Sequence, residues 1–66
     1  MTPHDKVIYI IQQLELSDSK VAIAIGKSKS TTTHKRMNLR GAKFSEQEFI
    51  NLRDFYIEKL RKIEML

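Results

Sequence analysis

The sequence lacks several residue types whose absence excludes whole classes of protein. It has no cysteine and no tryptophan, one proline and two glycines. Without cysteine it can form neither disulfides nor thiolate metal ligands, so a disulfide-stapled secreted domain is not expected. No apolar run approaches the ~18 residues of a membrane span. The first residues also lack the basic-then-apolar order of a signal peptide. We therefore expect a cytoplasmic protein.

Motifs of known catalytic and cofactor sites are also missing. The chain contains no HExxH, GxxxxGK[ST], GxGxxG or GxSxG. His4 lies beside Asp5, and His34 has no carboxylate near it in sequence. Acid pairs such as Glu46/Glu48 are explained by helix capping. We predict that the protein is not an enzyme and uses no metal and no cofactor.

Acidic residues are absent from one long stretch. Between Ser19 and Ser45 the chain has seven Lys and Arg residues and no Asp or Glu, whereas the remainder has five basic and eight acidic residues. Solvated charged faces normally mix both signs. The net charge of +4 is therefore concentrated in one segment, and this indicates a polyanionic partner.

The 66 residues are expected to form one domain, 1–66, with a small core. Five apolar residues from Val7 to Leu14 recur at three- and four-residue steps, and Thr2 can cap a helix that has Pro3 in its first turn. A helix from Pro3 to about Leu14 is predicted. The β-branched run 7–11 leaves a strand as the alternative, although it lacks strict alternation.

Two short helices are predicted next, over Asp18 to Ile25 and over about Lys29 to Met37. Gly26 suits the end of the first, and Ser28 can cap the second. Two short helices joined by a tight turn containing glycine are typical of a helix-turn-helix, with its core at about 18–37.

The third helix has poor intrinsic propensity. Residues 31–33 are all threonine, which loses rotamer freedom in a helix. We expect packing to hold this helix, through Thr32, Met37 and Leu39. A β-hairpin or wing over this stretch remains the alternative.

The C-terminal part carries the clearest local signal. Ser45 and Glu48 form a capping box, Phe44 and Phe49 fit a hydrophobic staple, and no glycine or proline follows. A long helix is predicted over about 46–64. The fold expected is therefore all-α, a small bundle of about four helices with a long C-terminal helix.

This last helix has more apolar residues than one face requires. The excess predicts either a homodimer contact or packing on the first helix. The residues predicted for the dimer contact are Phe55, Ile57, Leu60 and Ile63.

The middle of the chain resembles the lambda-repressor-like (Cro/XRE-type) helix-turn-helix family of phage repressors, over about residues 17–52. The residues that carry the resemblance are Val21, Ala22, Ile25, Gly26 and Ser28, followed by a polar helix and then Phe44-Ser45-x-x-Glu48. The family usually has a branched apolar residue where this chain has Thr32, and often an apolar or aromatic residue near Lys35.

The resemblance implies a sequence-specific, double-stranded DNA-binding protein that regulates transcription as a homodimer, with the third helix in the major groove. By family position, the base contacts would be Lys29, Ser30, Thr33 and His34. The phosphate contacts would be Lys20, Lys27, Ser28, Lys35, Arg36, Arg40 and Lys43. The alternative is a protein-interaction module, such as an antitoxin whose C-terminal helix binds a partner protein. RNA binding has little support because the basic stretch has no aromatic residue to stack on bases.

Overall fold

The computed structural model describes residues 1–66 as four α-helices and one short 3-10 turn, with no strand. The helices are α1 (Pro3–Leu14), α2 (Asp18–Ile25), α3 (Lys29–Arg36) and α4 (Glu46–Glu64), and the 3-10 turn is Leu39–Gly41. The all-α prediction is confirmed, and the strand over 7–11 and the hairpin over the third helix are excluded. The fourth helix is continuous from Glu46 to Glu64, a point that the sequence left open.

Side-chain caps start the helices where the sequence predicted them. The hydroxyl oxygens of Thr2, Ser17 and Ser45 each accept a hydrogen bond from the backbone N–H three residues later, at 3.1, 3.2 and 3.1 Å. At the end of α2, Gly26 has φ +71°, a left-handed conformation that costs glycine little. These caps satisfy helix-end groups that a chain with a small core cannot leave unpaired.

The apolar core lies between α1, α2 and α4. Its buried members are Val7, Ile11, Val21, Ala24, Ile25, Phe44 and Leu52. The third helix, α3, contributes no apolar side chain to it, and its one buried residue is Thr32. Polar contacts must therefore hold most of α3 in place.

The expected packing through Met37 and Leu39 is wrong. Their side chains are 53% and 42% exposed. Helix α3 ends at Arg36, and Asn38 then takes a positive φ of 55°, so the chain turns before these residues can reach the core. Thr32 alone of the three predicted packing residues is buried.

The second half of α4 extends beyond the other helices. The molecule measures 44 × 24 × 19 Å, and every residue from Ile57 to Leu66 is exposed. None of the helices combines the length and the apolar character needed to cross a membrane.

Candidate nucleic-acid interface

Three residues, 26–28, connect α2 to α3 and set the start of α3. The Lys27 N–H donates to the Ala22 carbonyl at 3.0 Å, which closes the end of α2. Ser28 then caps α3, because its hydroxyl oxygen accepts from the Thr31 N–H at 3.1 Å. The same hydroxyl donates to Thr31 Oγ1 at 2.9 Å. Ser28, predicted as a phosphate contact, is thus also the capping residue of α3.

The inner face of α3 is formed by Thr32, which is completely buried. Its backbone N–H and its hydroxyl both donate to the Ser28 carbonyl, at 3.0 and 2.9 Å. The buried hydroxyl is therefore satisfied within the helix, and the rest of the side chain can pack like valine. The family that the sequence resembles usually has a branched apolar residue at this position.

The C-terminal half of α3 is joined to α4 by an ion pair between Lys35 and Glu48. The Lys35 ammonium donates to both carboxylate oxygens, at 2.8 and 2.6 Å, and Glu48 is almost completely buried. The Ser45 N–H donates to the same carboxylate at 2.9 Å. Burial raises the pKa of Glu48, but the bonds from Lys35 and Ser45 outweigh it, so the pKa lies below its ordinary value.

A second ionic contact joins α3 to the start of α2. Asp18 accepts from the Arg36 guanidinium at 2.6 and 3.0 Å and from the Thr33 hydroxyl at 2.7 Å. The bonds from Arg36, assisted by Thr33, hold the pKa of Asp18 below its ordinary value. The same pair raises the pKa of Arg36. Helix α3 is thus fixed to α2 and to α4 by one carboxylate each.

Three residues predicted to contact DNA are bonded to other residues of the protein. Lys35 and Arg36 were predicted to bind phosphate and Thr33 to bind a base, but their polar groups already have protein partners. The remaining predicted residues are exposed and take part in none of the four ion pairs of the structure. They are Lys20, Lys27, Lys29, Ser30, His34, Arg40 and Lys43.

Lys29, Ser30 and His34 belong to the exposed side of α3. Ser30 and His34 are four residues apart, so they lie on one face of the helix, one turn from each other. Lys29 lies beside Ser30 in the first turn, which contains no acidic residue. The free amide groups of this turn and the adjacent cation favour an anionic ligand.

The partners that hold α3 and the loop after it were not predicted from the sequence. Asp18 and Glu48 were interpreted only as helix-starting residues, since their basic partners lie 18 and 13 residues away in sequence. His4 was also missed: its Nδ1 accepts from the Phe44 N–H at 3.1 Å, and the two rings stack with centroids 5.5 Å apart. No local pattern marks a contact between residues 40 positions apart.

The site contains nothing that resembles a metal centre. No group of three or more histidine and acidic side chains lies close enough to hold an ion. Every buried polar side-chain atom has a hydrogen-bond partner. The polar groups of this region therefore serve either to position α3 or to face solvent.

Searches against protein-family models, curated proteins and solved structures find no match to this chain.

Proposed function

We propose that the protein is a sequence-specific double-stranded DNA-binding protein of the lambda-repressor-like helix-turn-helix type. It would regulate transcription in the cytoplasm of a phage- or mobile-element-bearing cell, as a homodimer. The observation that carries this proposal is that α3 is fixed by Thr32, Lys35 and Arg36, while Lys29, Ser30 and His34 remain exposed on it. A helix held on its inner side and polar on its outer side suits insertion into a groove.

The charge around α3 supports a nucleic-acid ligand. The two acids near α3, Asp18 and Glu48, are each paired with one of its bases. Five cations of the basic stretch are then left without an acidic partner. These are Lys20, Lys27, Lys29, Arg40 and Lys43. Cations of this kind, on the turns and helix ends around a groove-binding helix, contact the phosphates and position the protein.

The exposed side chains of α3 have the chemistry to read base edges. Lysine can donate to guanine O6 and N7, and serine can bond to more than one base edge. His34 adds ring nitrogens that can donate or accept a hydrogen bond, one turn after Ser30. We therefore narrow the base contacts to Lys29, Ser30 and His34, with Thr33 contributing its methyl group, since its hydroxyl is bonded to Asp18.

The regulatory mechanism proposed is occupancy. A dimer bound to a two-fold symmetric operator would exclude RNA polymerase from an overlapping promoter. The two copies of α3 would enter successive major grooves about 34 Å apart, one helical turn of DNA.

The first test is a fluorescence-anisotropy titration against random and selected duplex DNA over a range of salt concentrations. We expect affinity to fall with a log–log slope of about −0.9 for each phosphate contacted. Replacing Lys29 or His34 by alanine should relax sequence preference, whereas Lys43→Ala should weaken binding to all sequences equally. Absence of binding at low salt, or binding insensitive to salt, would refute the proposal.

A protein-interaction module is the second candidate, supported by the apolar side chains exposed on α4. Leu60 and Ile63 are each 60% exposed. In that function α4 would bind a partner protein, as an antitoxin binds its toxin, and DNA binding would serve autoregulation. Recovery of a stoichiometric partner that loses affinity for the Leu60→Asp variant would favour this function over the homodimer.

A further inference from the structure

An open apolar groove of about 390 Å³ lies on the side of the molecule formed by the end of α1, the start of α2 and the middle of α4. Its apolar lining is Leu14, Leu16, Ile23, Phe55 and Tyr56, and two lysines border it. Ile23 is 71% and Leu14 50% exposed. Contiguous exposed apolar surface of this kind marks an interaction site more often than a free surface.

The overhanging end of α4 provides a second apolar surface next to this groove. Leu52 is buried against the core, and Tyr56, Leu60 and Ile63 follow it at steps of four, four and three residues, so all four lie on one stripe. The stripe continues past Tyr56, which packs against the core. Leu60 and Ile63 therefore lie on the core-facing side of α4, yet each is 60% exposed.

We infer that the occupant of the groove is the overhanging α4 end of a second copy of this chain, exchanged reciprocally. A ridge and a groove on one chain can both be covered in a closed pair when two copies meet about a two-fold axis. One copy's Leu60 and Ile63 then pack on the other copy's Leu14, Leu16 and Ile23. This arrangement rests on the homodimer in the proposed function and defines its geometry.

The direction of the two helices follows from where the rest of each domain sits. Helices α1 and α2 lie on the side of α4 that carries Leu52 and Tyr56. If two copies of α4 paired in parallel through this stripe, both domains would have to occupy the same space between the helices. In an antiparallel pair, the domains lie at opposite ends and each overhang reaches the other copy's groove.

Charge complements shape at this contact. The groove is bordered by Lys20 and Lys59, both exposed and neither in an ion pair. The overhang carries Glu64 four residues after Leu60, on the same face of the helix, and two bases in its last turn, Arg61 and Lys62, on the other side. An antiparallel overhang brings Glu64 toward the two lysines of the groove, while Arg61, which pairs with Glu58, and Lys62 face away from it.

The direct test is a distance measurement between two spin labels, which the absence of native cysteine makes simple. A label at Gln47→Cys, near the start of α4, lies 13 residues from Leu60. An antiparallel pair centred near Leu60 should give about 40 Å between the two labels, at 1.5 Å per residue. A parallel pair should give less than about 20 Å, since paired helix axes are 8–10 Å apart.

Substitutions test the two surfaces separately, by sedimentation equilibrium. Leu60→Asp on the overhang and Ile23→Asp in the groove should each raise the dimer dissociation constant by about tenfold or more, because each places a charge in the apolar contact. Asn51→Asp introduces the same charge at an exposed residue of α4 that lies away from the stripe, and it should leave the constant unchanged. Circular dichroism confirms that each variant is folded.

Three results would overturn the reciprocal arrangement. These are a short distance between the labels, a chain that stays monomeric, and an Ile23→Asp variant that dimerises like the wild type. A monomeric chain would mean that a different protein covers the groove. DNA titrations of the same samples keep the two proposals distinguishable. A pair with labels about 40 Å apart that does not bind DNA would refute the proposed function and leave the dimer standing.

Discussion

Helix α3 is polar but is fixed to its neighbours, whereas the end of α4 carries apolar residues that remain exposed. Helix α3 is the most polar helix of the chain, yet it is fixed by a buried threonine and two ionic contacts. The end of α4 carries Leu60 and Ile63, yet both side chains are exposed. The comparison shows that, in a domain this small, paired charges can hold a polar helix while apolar residues remain uncovered. It also separates the two surfaces, since α3 is built to present polar groups and α4 to present apolar ones.

Removing the ion pair between α3 and α4 should cause the largest loss of folding stability. Glu48→Ala should destabilise the fold by about 3 kcal/mol, because it leaves the Lys35 ammonium in a mostly buried position without its partner. Urea unfolding followed by circular dichroism measures this loss. Glu46→Ala is the matched control, since Glu46 lies in the same first turn but is exposed and unpaired. Equal losses in the two variants would mean that negative charge in the first turn of α4, and not the bonds that Glu48 makes to Lys35 and Ser45, stabilises this region.

A smaller effect is expected at the other anchor. Asp18→Ala should cost about 1.5 kcal/mol, because the three hydrogen bonds to its carboxylate are lost but the Arg36 side chain is 40% exposed and can be hydrated. Asp54→Ala removes an ion pair with Arg53 whose side chains are 46% and 59% exposed, and it should cost almost nothing. Thermal unfolding of the two variants compares them directly. If Asp18→Ala were as stable as Asp54→Ala, the contact would not anchor α3.

The most gradual effect is that of pH. Asp18 and Glu48 have folded pKa values below their ordinary values of 3.8 and 4.5. Their contribution to stability is therefore complete above those values and is lost as the pH falls through the lowered folded pKa. The melting temperature of the wild type should fall toward acid more steeply than that of the Asp18→Asn/Glu48→Gln variant. Some slope should remain in the variant, because bonds from Thr2 also lower the pKa of Asp5. Parallel curves for the two proteins would contradict the anchoring by charge.

The fold could be predicted because its signals are local. Caps at Thr2, Ser17 and Ser45, the glycine at Gly26 and the apolar spacing each act within a few residues, and the helix bounds match the prediction closely. The burial of Thr32 was also expected, since the family that the sequence resembles usually has a branched apolar residue at that position. Met37 and Leu39 were wrongly expected to pack there, because the turn at Asn38 is set by the loop as a whole.

The sequence did not predict which basic residues are paired with acids and which are free. An acid-free stretch suggested that all seven bases were free, but Lys35 and Arg36 are paired with acids from outside that stretch, Glu48 and Asp18. Which base meets which acid depends on how α2, α3 and α4 pack, and periodicity within one helix contains no such information. The same holds for the contact between His4 and Phe44.

The measurement that tests the proposed interface most directly compares two charge-matched variants in the salt dependence of DNA binding. Lys27→Gln/Lys43→Gln removes two predicted phosphate contacts, one before and one after α3, and Arg61→Gln/Lys62→Gln removes two cations from the exposed end of α4. The first should make the log–log slope shallower by about 1.8, at 0.9 for each lost phosphate contact, and the second should leave it unchanged. Equal changes in both variants would contradict a DNA interface centred on α3.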